Sequence, residues 1–308
     1  MELGNFEKEI NDNKIEKIAS GLIPDKIRTI SRICEQWGEA EDEVREYDVY
    51  RIETDAKKYI LKKTAKREAE IYECYLSKGD FATPHFYGVL QDKEDFWICI
   101  EYVSGNDLRD MTDEIALEAA KSISKIQTSY WTEQLEEIPK NEVEQRFEVY
   151  WKRILRRASF VADKPVLRKA YQMFLDRQLT CPRTLSNGDF LEWNAIYDGT
   201  HVKIIDWGFG GMMPYSLDLA RFIAHATETR STFPFYMNDN QKELFLNTVY
   251  EQIPSKISYE QFRMDVKLAL LNEYIEFVEA DEDEDDWYLT HAQALAAEIT
   301  HSERQEVI

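Results

Sequence analysis

Ser186-Asn187-Gly188-Asp189-Phe190-Leu191-Glu192-Trp193-Asn194, followed by Ile204-Ile205-Asp206-Trp207-Gly208, is the stretch on which the reading of this chain turns. Between the two segments the sequence predicts a β-hairpin with arms Ala195 to Tyr197 and His201 to Ile205. Asp198-Gly199 joins the arms, a pair suited to a tight turn. An Asp and an Asn five residues apart on one loop can curl around a single point, and the hairpin delivers a second Asp to it. Three oxygen-bearing side chains then converge. Phosphoryl transfer needs such a set: a carboxylate to take the proton of an acceptor hydroxyl, and hard oxygens to hold magnesium against a triphosphate. Asp189 suits the base role, and Asn194 and Asp206 suit the metal role.

The rest of the chain is compatible with an enzyme of this kind. Its 308 residues suffice for one large domain or two modest lobes. No apolar run approaches the ~20 residues of a membrane span, and the amino terminus lacks a secretory pattern, so the expected location is the cytoplasm, without membrane attachment. Cys34, Cys74, Cys99 and Cys181 form no Cys-x-x-Cys pair and read as buried, reduced thiols. A net charge of −21 argues against a nucleic-acid partner, because phosphate backbones are bound by clustered Lys and Arg. The five histidines show no mutual ligand spacing.

The first 104 residues read as mixed. A short helix near Ile15 to Leu22 precedes strand-like runs at Ile27 to Cys34, Tyr47 to Glu53 and Lys58 to Lys63. A helix follows over Arg67 to Ser77, then a strand over Phe96 to Glu101. Beyond Ser104-Gly105-Asn106-Asp107 the chain turns mainly helical, with amphipathic spacing at Asp113 to Trp131, Glu142 to Phe160 and Lys164 to Gln178. Further helices are expected at Leu217 to Ala226, Gln241 to Gln252, Tyr259 to Val278 and Tyr288 to His301. The expected class is α+β, in two parts: residues 1–104, an antiparallel sheet with one key helix, and residues 105–308, mainly helical.

The loop and the Asp-Trp-Gly segment resemble those of the aminoglycoside phosphotransferase and choline kinase superfamily, small-molecule relatives of protein kinases with a His-Gly-Asp-x-x-x-x-Asn loop and an Asp-x-Gly segment. Gly188, Asp189, Asn194, Asp206 and Gly208 match, whereas Asn187 stands at the usual His. The resemblance implies a two-lobed protein-kinase-like fold, ATP or GTP as phosphoryl donor, Mg2+ as cofactor and a small-molecule acceptor. Ser216-Leu217-Asp218-Leu219-Ala220 looks like the family's structural Asp segment, so Asp218 is expected to brace the loop. Asn187 and its amide can replace some of the hydrogen bonds of the missing His.

Strand alternation places Ile60 and Lys62 on one face of Lys58 to Lys63. The family's phosphate-binding Lys falls at Lys62, and Ile60 would lie under the base. On the following helix Glu68, Ile71, Tyr72 and Tyr75 share a face. Glu68 is the expected ion-pair partner of Lys62, with Glu70 in reserve. The hinge is expected at residues 101–105, where backbone groups of Glu101 and Val103 would meet the purine edge. The loop over residues 36–43 has a single glycine and four acids, a poor cover for phosphates.

For the acceptor, the sequence offers Glu273 and Glu276 on one helix, then the run Asp281 to Asp286 leading into Trp287 and Tyr288. Carboxylates and aromatic faces suit a cation. An aminoglycoside-like antibiotic leads the expectation, followed by choline, an amino sugar or another metabolite. A pseudokinase scaffold that binds nucleotide is the reading from another class, motivated by Asn187 and the acidic loop.

Overall fold

The computed structural model describes residues 4–36, 44–134, 140–225, 235–254, 257–280 and 286–306. The acid-rich part of the loop at 37–43 and the acidic run 281–285 lie outside the described residues. Two compact units emerge, Met1–Ser104 and Gly105–Ile308.

The first unit is built on a six-stranded antiparallel sheet. Its strands are β1 (Gly4–Glu9), β2 (Ile27–Gln36), β3 (Val44–Thr54), β4 (Lys58–Thr64), β5 (Phe86–Asp92) and β6 (Asp95–Glu101), in the spatial order β1-β2-β3-β4-β6-β5. Helix α1 (Asn13–Leu22) starts at Asp12, whose carboxylate accepts from the amides of Lys14 and Ile15. Such a cap satisfies two donors that the first turn cannot pair internally. Ile15, Ile18, Ala19 and Ile23 then bury against Ile30, Ile52, Tyr59, Leu61 and Trp97 on one sheet face. Each large side chain so buried contributes ~1.5 to 3 kcal/mol. Alternation leaves Ile60 and Lys62 on the opposite face of β4, registered against Ile100 and Ile98 of β6.

Helix α2 (Lys66–Glu70) runs into a π turn over Ile71–Tyr75 and a 3-10 turn over Leu76–Lys78. The sequence predicts one continuous helix there, because the burial of Glu68, Ile71, Tyr72 and Leu76 follows a helical spacing that the wider turn barely disturbs. β1 and β5 escape the sequence reading. β1 carries charged residues alongside Phe6 and pairs with β2 alone, while β5 has Gly88 at a register shift in its pairing with β6, and glycine weakens a strand signal. All four cysteines are free thiols, but Cys74 is exposed. That corrects the expectation of four buried ones. It sits beside Glu73, away from the buried face of Ile71 and Tyr72.

The second unit comprises α3 (Asp113–Ser129), α4 (Arg146–Phe160), α5 (Pro165–Gln178), α6 (Ser216–Ala224), α7 (Asp239–Gln252), α8 (Tyr259–Glu279) and α9 (Trp287–Glu306). Two small antiparallel ribbons accompany them: β7 (Arg183–Ser186) with β10 (Gly211–Pro214), and β8 (Ala195–Tyr197) with β9 (Val202–Ile204). Residues of α4, α5, α6, α8 and α9 make the core, among them Ile154, Phe174, Ala220, Leu271 and Ile299.

Asp265 of α8 ties these helices together. It receives Nε and Nη2 of Arg177 on α5, each at 2.7 Å, the Tyr215 hydroxyl just before α6 at 2.8 Å, and Nε2 of Gln261 at 2.7 Å. Removing one member of a buried ion pair strands the other charge, at about 3 to 5 kcal/mol. Asp265→Ala is therefore expected to lower unfolding free energy by about 3 kcal/mol in urea titration; a loss below about 1 kcal/mol would show that Arg177 and Tyr215 find other partners.

Candidate active site

The Ser186–Asn194 loop leaves the end of β7 and is held from below by Asp218. Ser186 Oγ donates to one carboxylate oxygen at 2.7 Å and Gly188 N to the same oxygen at 2.9 Å, while Asn187 N donates to the other at 2.8 Å. Burial pushes the Asp218 carboxyl up, and these three donors work against that rise. Gly188 adopts φ +77°, and a Cβ there would stand 2.3 Å from the Phe209 carbonyl oxygen. Only glycine fits both the conformation and the space.

Asn187 organises the loop through its side-chain amide. Its Nδ2 donates to the carbonyls of Ile205 and Asp206 at 3.1 and 3.0 Å, and its Oδ1 accepts from Asp189 N at 3.2 Å. Asp206 has φ +52°, a conformation a non-glycine residue adopts at some cost. The amide of Asn187 secures the carbonyl of that residue.

Asn194 closes the loop on itself. Nδ2 donates to the Asp189 carbonyl at 2.7 Å and to Asp189 Oδ2 at 3.0 Å, an assignment that leaves Oδ1 as the atom able to serve a metal. The Ile205 amide bonds the Asn194 carbonyl at 2.9 Å, which carries Asp206 to the same end of the hairpin. An amide oxygen and a carboxylate are hard donors of the kind magnesium takes, usually one or two from the protein with the remainder from phosphates and water. Among the described residues no cluster of three or more His, Cys, Asp or Glu is placed to hold a metal ion.

The other Asp189 oxygen belongs to Arg221. Nε and Nη2 of Arg221 reach Oδ1 at 3.1 and 2.8 Å, and Nη1 reaches Glu273 Oε2 at 2.8 Å. Sequence reading did not single out Arg221, although its spacing of i, i+3 from Asp218 on α6 puts both on one helix face. A pocket of about 290 Å³ opens beside Asp189 and Gly188, with Tyr150, Phe209, Arg221, Glu273 and Glu276 in its wall.

Glu273 and Glu276 thus line a pocket, but neither is an unmatched acid. Burial would raise the Glu276 carboxyl, yet Arg157, Arg153 and Arg221 hold it below the usual range. Arg157, itself buried, reaches Glu276 Oε2 at 2.8 Å and Glu279 Oε2 at 2.9 Å. Trp287 and Tyr288 are placed differently from the expectation. Tyr288 is fully buried in the helical core with its hydroxyl 2.6 Å from His225 Nδ1, and Trp287 stacks on His291. Neither lines the pocket, because both are drawn into the aromatic packing around Tyr274.

In the first unit, Lys62 Nζ donates to Glu68 Oε1 at 2.8 Å, and Thr64 donates its hydroxyl to the other carboxylate oxygen. Glu68 is only 2% exposed. Glu70, the reserve partner, pairs with Lys66 at 3.3 Å. The amide of Glu101 donates to the His85 carbonyl at 2.8 Å, so it is not the purine's donor. Val103 is buried.

Glu192, given no role in the sequence reading, is fully buried within the Ser186–Asn194 loop, and neither of its carboxylate oxygens has a hydrogen-bond partner among the described residues. Burial pushes its carboxyl up to about 7. With a folded value above the unfolded one, its contribution is fully present below about pH 4.5 and is lost as pH rises through 7. Glu192→Gln should therefore gain on the parent protein above pH 7, by up to about 3 kcal/mol for a shift of ~2.5 units. Melting temperatures from pH 5 to 9, without nucleotide or metal, would show the two curves diverging; parallel curves would refute it.

Comparison with known proteins accords with this geometry. Sequence comparison with curated proteins finds no match. Among solved structures, an aminoglycoside-3'-phosphotransferase of type VIII is similar at 17% identity, with 85% of this chain and 99% of that chain covered and a TM-score of 0.52. A choline kinase from Cryptosporidium parvum Iowa II is similar at 13% identity, with 96% of each chain covered and a TM-score of 0.53. An amicoumacin kinase solved with AMP-PNP and Ca2+ is similar at 12% identity, with 95% and 94% covered and a TM-score of 0.55. At such identities these likenesses establish the fold, that of protein-kinase-like small-molecule kinases. The profile described as "Phosphotransferase enzyme family" matches residues 42–245, about two-thirds of the chain. The chain belongs to the phosphotransferase enzyme family.

Proposed function

We propose that this protein is a cytoplasmic small-molecule kinase that moves the γ-phosphoryl group of ATP or GTP to a hydroxyl of its acceptor, with Mg2+ as cofactor. The observation that carries the reading is the closed loop in which Asn194 grips Asp189 while the hairpin brings Asp206 alongside. Asn194 and Asp206 would hold the metal, which supplies charge neutralisation at the phosphates. Lys62, kept in place by Glu68, would contact the phosphates, and Ile60 with the backbone at Glu101 and Val103 would receive the purine. Asp189 would accept the hydroxyl's hydrogen bond and, late in a loose transfer, its proton. Arg221 fixes the direction of that carboxylate. Retention of Lys62, Glu68, Asp189, Asn194 and Asp206 together speaks against the pseudokinase scaffold.

The sequence favours a cationic acceptor, an aminoglycoside-like antibiotic first and choline, an amino sugar or another metabolite next. That preference draws on Glu273 and Glu276, whose charges Arg221 and Arg157 already meet. The net charge of −21 acts from a distance and is screened beyond ~8 Å at physiological salt.

Nucleoside-diphosphate release over a panel of acceptors, with ATP and with GTP, tests the proposal. Asp189→Asn is expected to lower turnover by roughly 10² to 10⁴-fold and to change nucleotide affinity, measured by calorimetry, much less. Equal loss of both would move Asp189 to the metal site. Asp206→Ala is expected to abolish magnesium-dependent turnover in a protein that still melts cooperatively, and unchanged turnover would remove Asp206 from the metal site.

A further inference from the structure

Glu273 lines the pocket, yet the group it grips is Arg221. The two residues come from helices packed together in the core, where Ala220 and Ala224 of α6 lie among Leu268, Leu271 and Ile275 of α8. Arg221 is held on three sides. Nε and Nη2 reach Asp189 Oδ1, Nη1 reaches Glu273 Oε2, and Cζ lies 5.6 Å from the ring centroid of Phe277. Glu273 and Phe277 are four residues apart on α8 and so share a helix face. That face meets the guanidinium through a carboxylate and through an aromatic ring, both of which attract a cation.

Burial gives the link its strength. Only 9% of the Glu273 side chain and 20% of that of Arg221 are exposed, so salt and water screen the pair little. Desolvation works against the charge of Arg221, but Glu273 and Asp189 outweigh it and raise the guanidinium above its ordinary range. The cation persists. A long side chain tied at one point can swing about that point, whereas a planar guanidinium tied along two edges is fixed in direction. Asp189 inherits that direction, because its Oδ2 answers to Asn194 and its Oδ1 to Arg221.

We propose that Glu273 is a positioning residue for phosphoryl transfer, acting on Asp189 through Arg221, and that it makes no contact with the acceptor. The proposal rests on the reading of Asp189 as the group that receives the acceptor hydroxyl. It removes Glu273 from the side chains offered to a cation. An error in the placement of the carboxylate passes directly to the hydroxyl, and a shift of about 1 Å there can cost on the order of 10²-fold in rate. Affinity for acceptor and nucleotide is untouched by such a shift.

Crystal structures of the parent chain and of Glu273→Leu test the linkage without requiring turnover. The Arg221 guanidinium and the Asp189 carboxylate should both move, by about 1 Å or more; an unmoved Asp189 overturns the proposal. Kinetics test the consequence, as diphosphate release from ATP with kanamycin, choline or glucosamine, whichever the parent turns over fastest. Glu273→Leu should lower kcat and kcat/KM equally, by roughly tenfold to 10²-fold, with acceptor KM within about twofold. Glu273→Gln, which keeps an oxygen for Nη1, should retain more of kcat than Glu273→Leu does. In the Arg221→Met background, Glu273→Leu should change kcat by less than about twofold, because a residue acting only through Arg221 has nothing left to act on. A raised acceptor KM with kcat retained, additive losses, or a fall in kcat no larger than the fall in folded protein overturns the proposal. If Arg221→Met does not fold, the division between kcat and KM in the two Glu273 variants decides. A parent chain that turns over none of the three, with Asp189 displaced in Glu273→Leu, refutes the phosphotransfer reading for these acceptors and leaves the linkage standing.

Discussion

A carboxylate shut away from water has to find donors, and the way Asp218 finds them fixes the Ser186–Asn194 loop. Its oxygens collect the Ser186 hydroxyl and the amides of Asn187 and Gly188, tying three consecutive residues to one buried carboxylate. Each bond to a charged acceptor is worth ~1.5 to 3 kcal/mol. With those three residues pinned, Gly188 must take its left-handed turn, Asp189 emerges at a set height, and Asn187 is aimed at the carbonyls of Ile205 and Asp206. The same helix that supplies Asp218 supplies Arg221 one turn later, so one element governs both the backbone of the loop and the direction of the Asp189 side chain.

A second constraint is the pairing of charge. Arg221 links Asp189 to Glu273, and Arg157 links Glu276 to Glu279 while Asn272 accepts from its Nη1 at 2.6 Å. Burying these ions is tolerable only because each carboxylate has a guanidinium opposite it. The chain is strongly acidic as a whole, yet the wall of its pocket is close to balanced. Global composition and local field are different quantities, and recognition over a few ångströms answers to the second.

Much of this was legible in the residues. Turn chemistry exposed the hairpin at Asp198-Gly199, and the five-residue interval between Asp189 and Asn194 exposed the loop, because both are local in sequence. Alternation on β4, helical spacing on α2 and the family resemblance together brought Lys62 and Glu68 into one expectation, and they lie 2.8 Å apart. What stayed hidden depends on partners far along the chain. The acids of α8 looked available for a cation until Arg157 and Arg221 arrived from α4 and α6, and Tyr288 looked like a pocket residue until packing drew it beneath His225. β1 gives little signal because its burial and pairing come from β2.

The π turn at Ile71–Tyr75 bears on how the first unit can be observed. It follows directly on the segment that carries Glu68, and it places the Cys74 thiol in water while Cys34, Cys99 and Cys181 are buried. Alkylating reagents discriminate by access, so a maleimide dye would attach at Cys74 without any cysteine having to be engineered away. A fluorophore there would sit on the continuation of the helix that steadies Lys62 and would register rearrangement of that helix as a change in emission.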